Sequence, residues 1–134
     1  VTRTLKTGGV VSLICYPDPH VPTSPTLTSA LNHINHSFLP PYFPDSRKHF
    51  FSAAYSNIEL PFTQHHRHVL ELGIPSSYNS ILNMISSWSG FQNMCDDKEL
   101  SVGEGLQVIE REMAGYLTEE DRTMEHVLGY NCTM

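Results

Sequence analysis

The chain has 134 residues, of which 40% are hydrophobic, and a formal net charge of −6. That length holds one domain or a piece of one, and the acidic balance argues against a nucleic-acid partner, whose phosphates call for clustered Lys and Arg. No apolar run reaches the length of a membrane span, and the N-terminal residues do not have the form of a signal peptide.

Val1 to Lys6 reads as the tail of a helix. Gly8 and Gly9 follow, and both can take positive φ without a Cβ clash, which suits a helix C-cap and a tight turn. Val10 to Tyr16 is short, continuous and β-branched, the pattern of a strand buried on both faces. Helix, turn and buried strand together point to an α/β protein with a parallel sheet. The loop from Tyr16 to Pro22 holds three prolines and is expected to be irregular. It leaves the carboxyl end of a strand, where open α/β sheets place ligand chemistry.

Ser24-Pro25 predicts an N-cap with Pro at the first helical position, and Leu27, Leu31, Ile34 and Phe38 recur at helical spacing. Pro40-Pro41 ends that helix. Asp45 caps a second one, with Arg47, Phe50, Phe51, Ala54, Tyr55 and Ile58 recurring at three and four, until Pro61. Val69 to Leu72 is expected to form a short strand before a Gly73-Ile74-Pro75 turn. A third helix starts after Ser76 or Ser77, with Tyr78, Ile81, Leu82, Ile85 and Trp88 as one stripe and Gly90 as a cap or kink. Asp96 to Lys98 reads as a solvated connection. Ser101-Val102-Gly103-Glu104 has the capping-box pattern, and Leu106, Ile109, Met113 and Leu117 give the stripe of a fourth helix. Thr118 to Asp121 reads as an acidic turn, and Met124 to Met134 as a strand. The chain does not begin with Met and ends within this strand, so both ends are expected to be cuts from a longer protein.

Three stretches together resemble one family. Arg3-x-Leu5-Lys6-Thr7-Gly8-Gly9 is similar to the "R-x-L-K-P-G-G" turn of class I S-adenosylmethionine-dependent methyltransferases, with Thr7 in place of the proline. Pro41-Tyr42-Phe43-Pro44-Asp45-Ser46-Arg47 resembles the "P-Y-W-x-x-x-R" stretch of the trans-aconitate-methyltransferase-like branch. Ile85-Ser86-Ser87-Trp88-Ser89-Gly90-Phe91 resembles its "L-x-T-W-S-x-x" helix. The resemblance covers nearly the whole chain, but only the family's C-terminal half. It implies a partial, incomplete Rossmann-like methyltransferase fold in a single domain. Residues 1–16 would be a helix end and core strand, 17–118 a helical substrate cap, and 119–134 an edge strand. The implied activity is methyl transfer from S-adenosyl-L-methionine to a small molecule, for some members a carboxylic acid, by the full-length protein, with this segment alone inactive.

Methyl transfer from a sulfonium needs alignment and exclusion of water, and no metal. It also needs a glycine-rich turn after the first strand and an acidic residue after the second. Neither is in this sequence: Gly103-Glu104-Gly105 opens an amphipathic helix, so no cofactor-binding residue is assigned. The resemblance and the strand-end loop make Tyr16, His20, Tyr42, Arg47 and Trp88 the candidate substrate-binding residues. Arg47 would hold a carboxylate through its fork of donors. Core packing for Trp88 and a surface ion pair for Arg47 are the competing readings.

His65, His66 and His68 lie close together, but zinc calls for two separated ligand pairs; Cys95 and Cys132 stand alone, leaving only His33 and His36 to join them. Cys15, Cys95 and Cys132 are odd in number and widely spaced, which favours reduced thiols and a cytoplasmic location. The Asn-x-Ser/Thr patterns at Asn35 and Asn131 would go unused there. Two further classes stay open: a non-catalytic methyltransferase-like interaction module, and a His-based metal-binding protein.

Overall fold

The computed structural model describes residues 8–10, 18–50, 59, 66 and 68–133. Gly8 takes a φ of 79°, as the Gly-Gly turn requires. The helix tail from Val1 to Lys6, all of the strand expected from Val10 to Tyr16 except Val10, and the second helix beyond Phe50 lie outside the described residues.

Chain order begins with a two-residue strand β1 (Pro19–His20), then α1 (Pro25–His33). Ser24 caps α1 by accepting from the Leu27 N–H at 3.0 Å, with Pro25 at the first helical position. The helix then widens into a π-helical turn, Ile34–Phe38, where the Leu39 N–H donates to the Ile34 carbonyl five residues back (2.9 Å). Pro40 and Pro41 have no N–H to continue the ladder, and the chain turns through a 3₁₀ segment, Pro40–Tyr42. α2 (Asp45–Phe50) follows.

β2 (Val69–Ser76) leads to α3 (Tyr78–Ser86), α4 (Ser89–Asp97), α5 (Val102–Met113), α6 (Glu119–Thr123) and β3 (His126–Thr133). β3 lies between β1 and β2 and is antiparallel to both; Leu72 faces Tyr130 in register, and Pro19 also faces Tyr130 from the other side. The core is built mainly by helices: Leu27, Leu31 and Ile34 from α1 and its extension, Ile81 and Ile85 from α3, Phe91 and Met94 from α4, and Ile109 and Met113 from α5, with Leu128 from β3. Each such side chain withdrawn from water contributes roughly 1.5–3 kcal/mol.

Several expectations are corrected. The proline-rich loop is not wholly irregular: Pro19 and His20 pair with Tyr130 and Gly129. Gly73-Ile74-Pro75 is not a turn. β2 runs through it, with Pro75 opposite Val127; β2 is at an edge among the described strands, and edge strands tolerate proline. The third helix does not reach Trp88. It ends at Ser86, Trp88 takes the N-cap position of α4, and Gly90 lies inside α4. Thr118 to Asp121 is a helix start, with a second capping box in which Thr118 and Asp121 exchange hydrogen bonds. The terminal strand, expected at an edge, is central among the described strands.

Candidate functional site

The π-helical turn positions the site. Its Asn35 falls four residues after Leu31, on the buried face of the helix, and is 6% exposed. A buried amide must be hydrogen-bonded, and this one bridges two charges. Its Nδ2 donates to Asp18 Oδ1 at 2.6 Å, and its Oδ1 accepts from Arg47 Nη2 at 2.7 Å. Asp18 sits on the loop before β1, and Arg47 in the first turns of α2. His36, next along the π-turn, lies 3.4 Å from the same Asp18 oxygen.

Arg47 also stacks. Its guanidinium carbon is 3.4 Å from the centroid of the Phe43 ring and 6.0 Å from that of Trp88. Burial pushes the Arg47 pKa down from its ordinary value and the charge of Asp18 pushes it up; an arginine under such opposing pressures keeps its proton. The ring of Phe43 approaches α4 so closely that a Cβ on Gly90 would lie 2.5 Å from Phe43 Cε1. Gly90 therefore sets the depth of the aromatic floor.

Tyr42, adjacent to Phe43, is half-buried. Its carbonyl accepts from Asn93 Nδ2 at 2.8 Å, and its ring lies 5.9 Å from Lys98 Nζ. The structure thus brings Arg47 and Trp88 together, with Tyr42 tied to the same turn. His20 has a different setting: its ring lies over Gly129 of β3, where a Cβ would come within 2.7 Å of Nε2. Asp18, Asn35 and Phe43 belong to the same cluster of contacts, and sequence reasoning passed over them as candidates. Asn35 could have been found as the one amide at i+4 on an apolar stripe.

Gly103-Glu104-Gly105 lies within α5, and a Cβ on Gly105 would strike Cys95 Sγ and come 2.8 Å from Phe91 Cζ. That glycine serves close packing of α5 on α4, not a nucleotide cradle. His33 and His36 do not converge on one point: His33 Nε2 lies 3.2 Å from Glu112 Oε2, while His36 faces Asp18. Among the described residues, no group of three or more His, Cys, Asp and Glu side chains could hold a metal ion. No helix among them is long and apolar enough to cross a membrane.

No protein-family model and no curated protein matches the chain. A solved structure does: that of "a Putative Type II Methyltransferase from Anaeromyxobacter dehalogenans", with a TM-score of 0.69 and 17% identity, over 89% of this chain and 47% of that one. The chain spans about half the length of that protein. The likeness is one of fold: mixed helix and sheet, with a small antiparallel sheet, in a methyltransferase-like arrangement.

Proposed function

We propose that this chain is the substrate-side half of a methyltransferase domain, and that the whole protein moves a methyl group from S-adenosylmethionine to a small carboxylic acid. The carrying observation is the shared fold with a methyltransferase-named structure over 89% of the chain. The trans-aconitate-like branch, the partial Rossmann-like sheet and the division at residues 16 and 118 belong to this reading. The helices between β1 and β3 form the cap. Within it, Arg47 is the clamp for the carboxylate, Phe43 and Trp88 are its aromatic walls, and Tyr42, Tyr16 and His20 are the remaining substrate candidates. A thiol held reduced, such as buried Cys95, agrees with a cytoplasmic setting.

In this reading the chain's own part is to bind and orient the acid and to exclude water around it. An arginine suits the task, since its planar fork can meet both carboxylate oxygens.

The test is transfer of labelled methyl from S-adenosylmethionine to a panel of small carboxylic acids by the complete gene product. Arg47→Gln is expected to raise KM for the acid tenfold or more and to change kcat less. No transfer to any acid, or full activity in Arg47→Gln, would remove the reading. Titration of S-adenosylmethionine into this chain alone is expected to give no micromolar binding.

A second reading, a non-catalytic module of the same fold, is favoured by β2, whose Val69, Leu70, Leu72 and Ile74 are all exposed at an edge of the sheet formed by the described strands. Detection of methyl transfer by the complete protein would dismiss it.

A further inference from the structure

α6 holds no apolar side chain: it reads Glu-Glu-Asp-Arg-Thr, and Asp121 is its one buried residue. A helix of five residues does not stand alone in water. Polar contacts to its neighbours hold it, and they fall on three different junctions between sheet and helices.

The first junction is the passage from β1 into α1. There the Asp121 carboxylate accepts from Ser24 Oγ and, at 2.8 Å, from Thr26 Oγ1. The second is the passage from β2 into α3, where the Arg122 guanidinium carbon lies 5.5 Å from the centroid of the Tyr78 ring. The same arginine reaches Glu110 of α5, Nη1 to Oε1, at 3.8 Å. The third is the exit from α6 into β3, where His126 Nε2 donates to the Asp121 carbonyl at 2.9 Å. Ser76, which ends β2, faces His126 in register, so these junctions are neighbours in space.

Two kinds of packing meet here, and they respond differently to opening. α1, α3, α4 and α5 are joined through side chains withdrawn from water, such as Leu27, Ile85, Met94 and Ile109. Parting them exposes apolar surface. Parting α6 from α1 exposes hydroxyls, a carboxylate and a guanidinium, each of which trades a protein partner for water. Segments with few buried apolar contacts open at lower free energy than the whole molecule unfolds.

We infer that α6 is a latch, which undocks as one unit from an intact helical core and lets sheet and helices shift against each other at these junctions. Its consequence for a ligand, opening of the cap, rests on the methyltransferase reading; the undocking does not.

The test is native-state hydrogen exchange of this chain by NMR, in urea below the unfolding transition. The N–H groups of Asp121 and Met124, bonded to Thr118 Oγ1 and the Glu120 carbonyl, report on α6, and that of Ile85, inside α3, reports on the core. The α6 pair is expected to exchange at least tenfold faster than Ile85, with one shared opening constant that urea hardly changes, while exchange at Ile85 rises with urea. Thr26→Val separates a latch from a frayed helix end, because Thr26 is exposed and lies on α1, across the contact from α6. Loss of its hydroxyl is expected to speed exchange at Met124 about tenfold. Unchanged exchange at Met124 in Thr26→Val would overturn the inference, as would α6 amides that follow the urea dependence of Ile85. Near-ultraviolet circular dichroism checks folding; should Thr26→Val not fold, Asp121→Asn carries the same expectation. Failure here leaves the methyl-transfer assay untouched. A protein that undocks α6 but transfers no methyl group would sink the function while keeping the latch.

Discussion

Asp121 is the most heavily bonded carboxylate of the described residues. It accepts from Ser24 Oγ, from Thr26 Oγ1 at 2.8 Å, and from the backbone N–H and hydroxyl of Thr118, each at 2.8 Å. Burial pushes its pKa up, but the bonds from Ser24, Thr118 and Thr26 outweigh burial and hold it at about 2. A carboxyl with a folded pKa below its unfolded value favours the folded state when ionised. The stabilisation is complete above pH ~4, is lost as pH falls from there toward 2, and amounts to roughly 2 kcal/mol. Urea denaturation of Asp121→Asn against the parent is expected to show a gap of that size at pH 6 that closes by pH 2. A gap that persists at pH 2 would mean the loss is one of shape, not of charge.

Gly90 acts at the same scale through an absent atom. A methyl there would lie 2.5 Å from Phe43 Cε1 and 2.7 Å from Cδ1, and the ring would have to leave the floor beneath Arg47. Gly90→Ala is expected to cost about 1–3 kcal/mol, the usual cost of overpacking, despite the better helix propensity of alanine. Thermal unfolding measures the loss, and a shift in Trp88 emission reports the displaced ring and guanidinium.

Among elements, α5 owes its start to the local sequence. The Ser101 hydroxyl accepts from the Glu104 N–H at 3.3 Å, and Glu104 Oε2 accepts from the Ser101 N–H at 2.8 Å. Ser101→Ala leaves the Glu104 N–H to water and is expected to lower stability by about 0.5–2 kcal/mol in denaturant titration. This cap was legible in the sequence because both partners sit within four residues, as was Ser24-Pro25; for α3 the sequence left Ser76 and Ser77 open, and Ser77 is the cap. The second capping box at Thr118 went unread because its helix is only five residues long and leaves no periodicity to see. α4 was missed for a related reason: the stripe of α3 continues in phase through Trp88, while Ser87 and Trp88 break the helix by geometry that no spacing records. In the candidate cluster, Arg47 and Trp88 could be singled out from the sequence as residue types in motifs. The Asn35 bridge was not, since Asp18, Asn35 and Arg47 come together only when the loop before β1, the π-turn and α2 are packed.

At the scale of the molecule, the helical side and the sheet differ in finish. The helices enclose a continuous core, whereas β2 presents Val69 at 66% and Leu70 at 50% exposure on opposite faces of an edge strand. Among the described residues no strand pairs with its outer side, and apolar side chains beside such an edge are the combination that templates strand addition. Pro75 blunts one end, where the missing N–H removes a donor; Glu71 is the only charged residue in the strand. A lysine at an exposed edge position adds charge without removing any core contact. Val69→Lys is therefore expected to leave the unfolding midpoint within the change set by about 0.5 kcal/mol, as for an ordinary surface substitution, and to slow the growth of light scattering on storage several-fold. The control is Ile81→Lys, which places the same charge in the core and should unfold the chain. Equal aggregation in the parent and Val69→Lys would place the association surface elsewhere than the β2 edge.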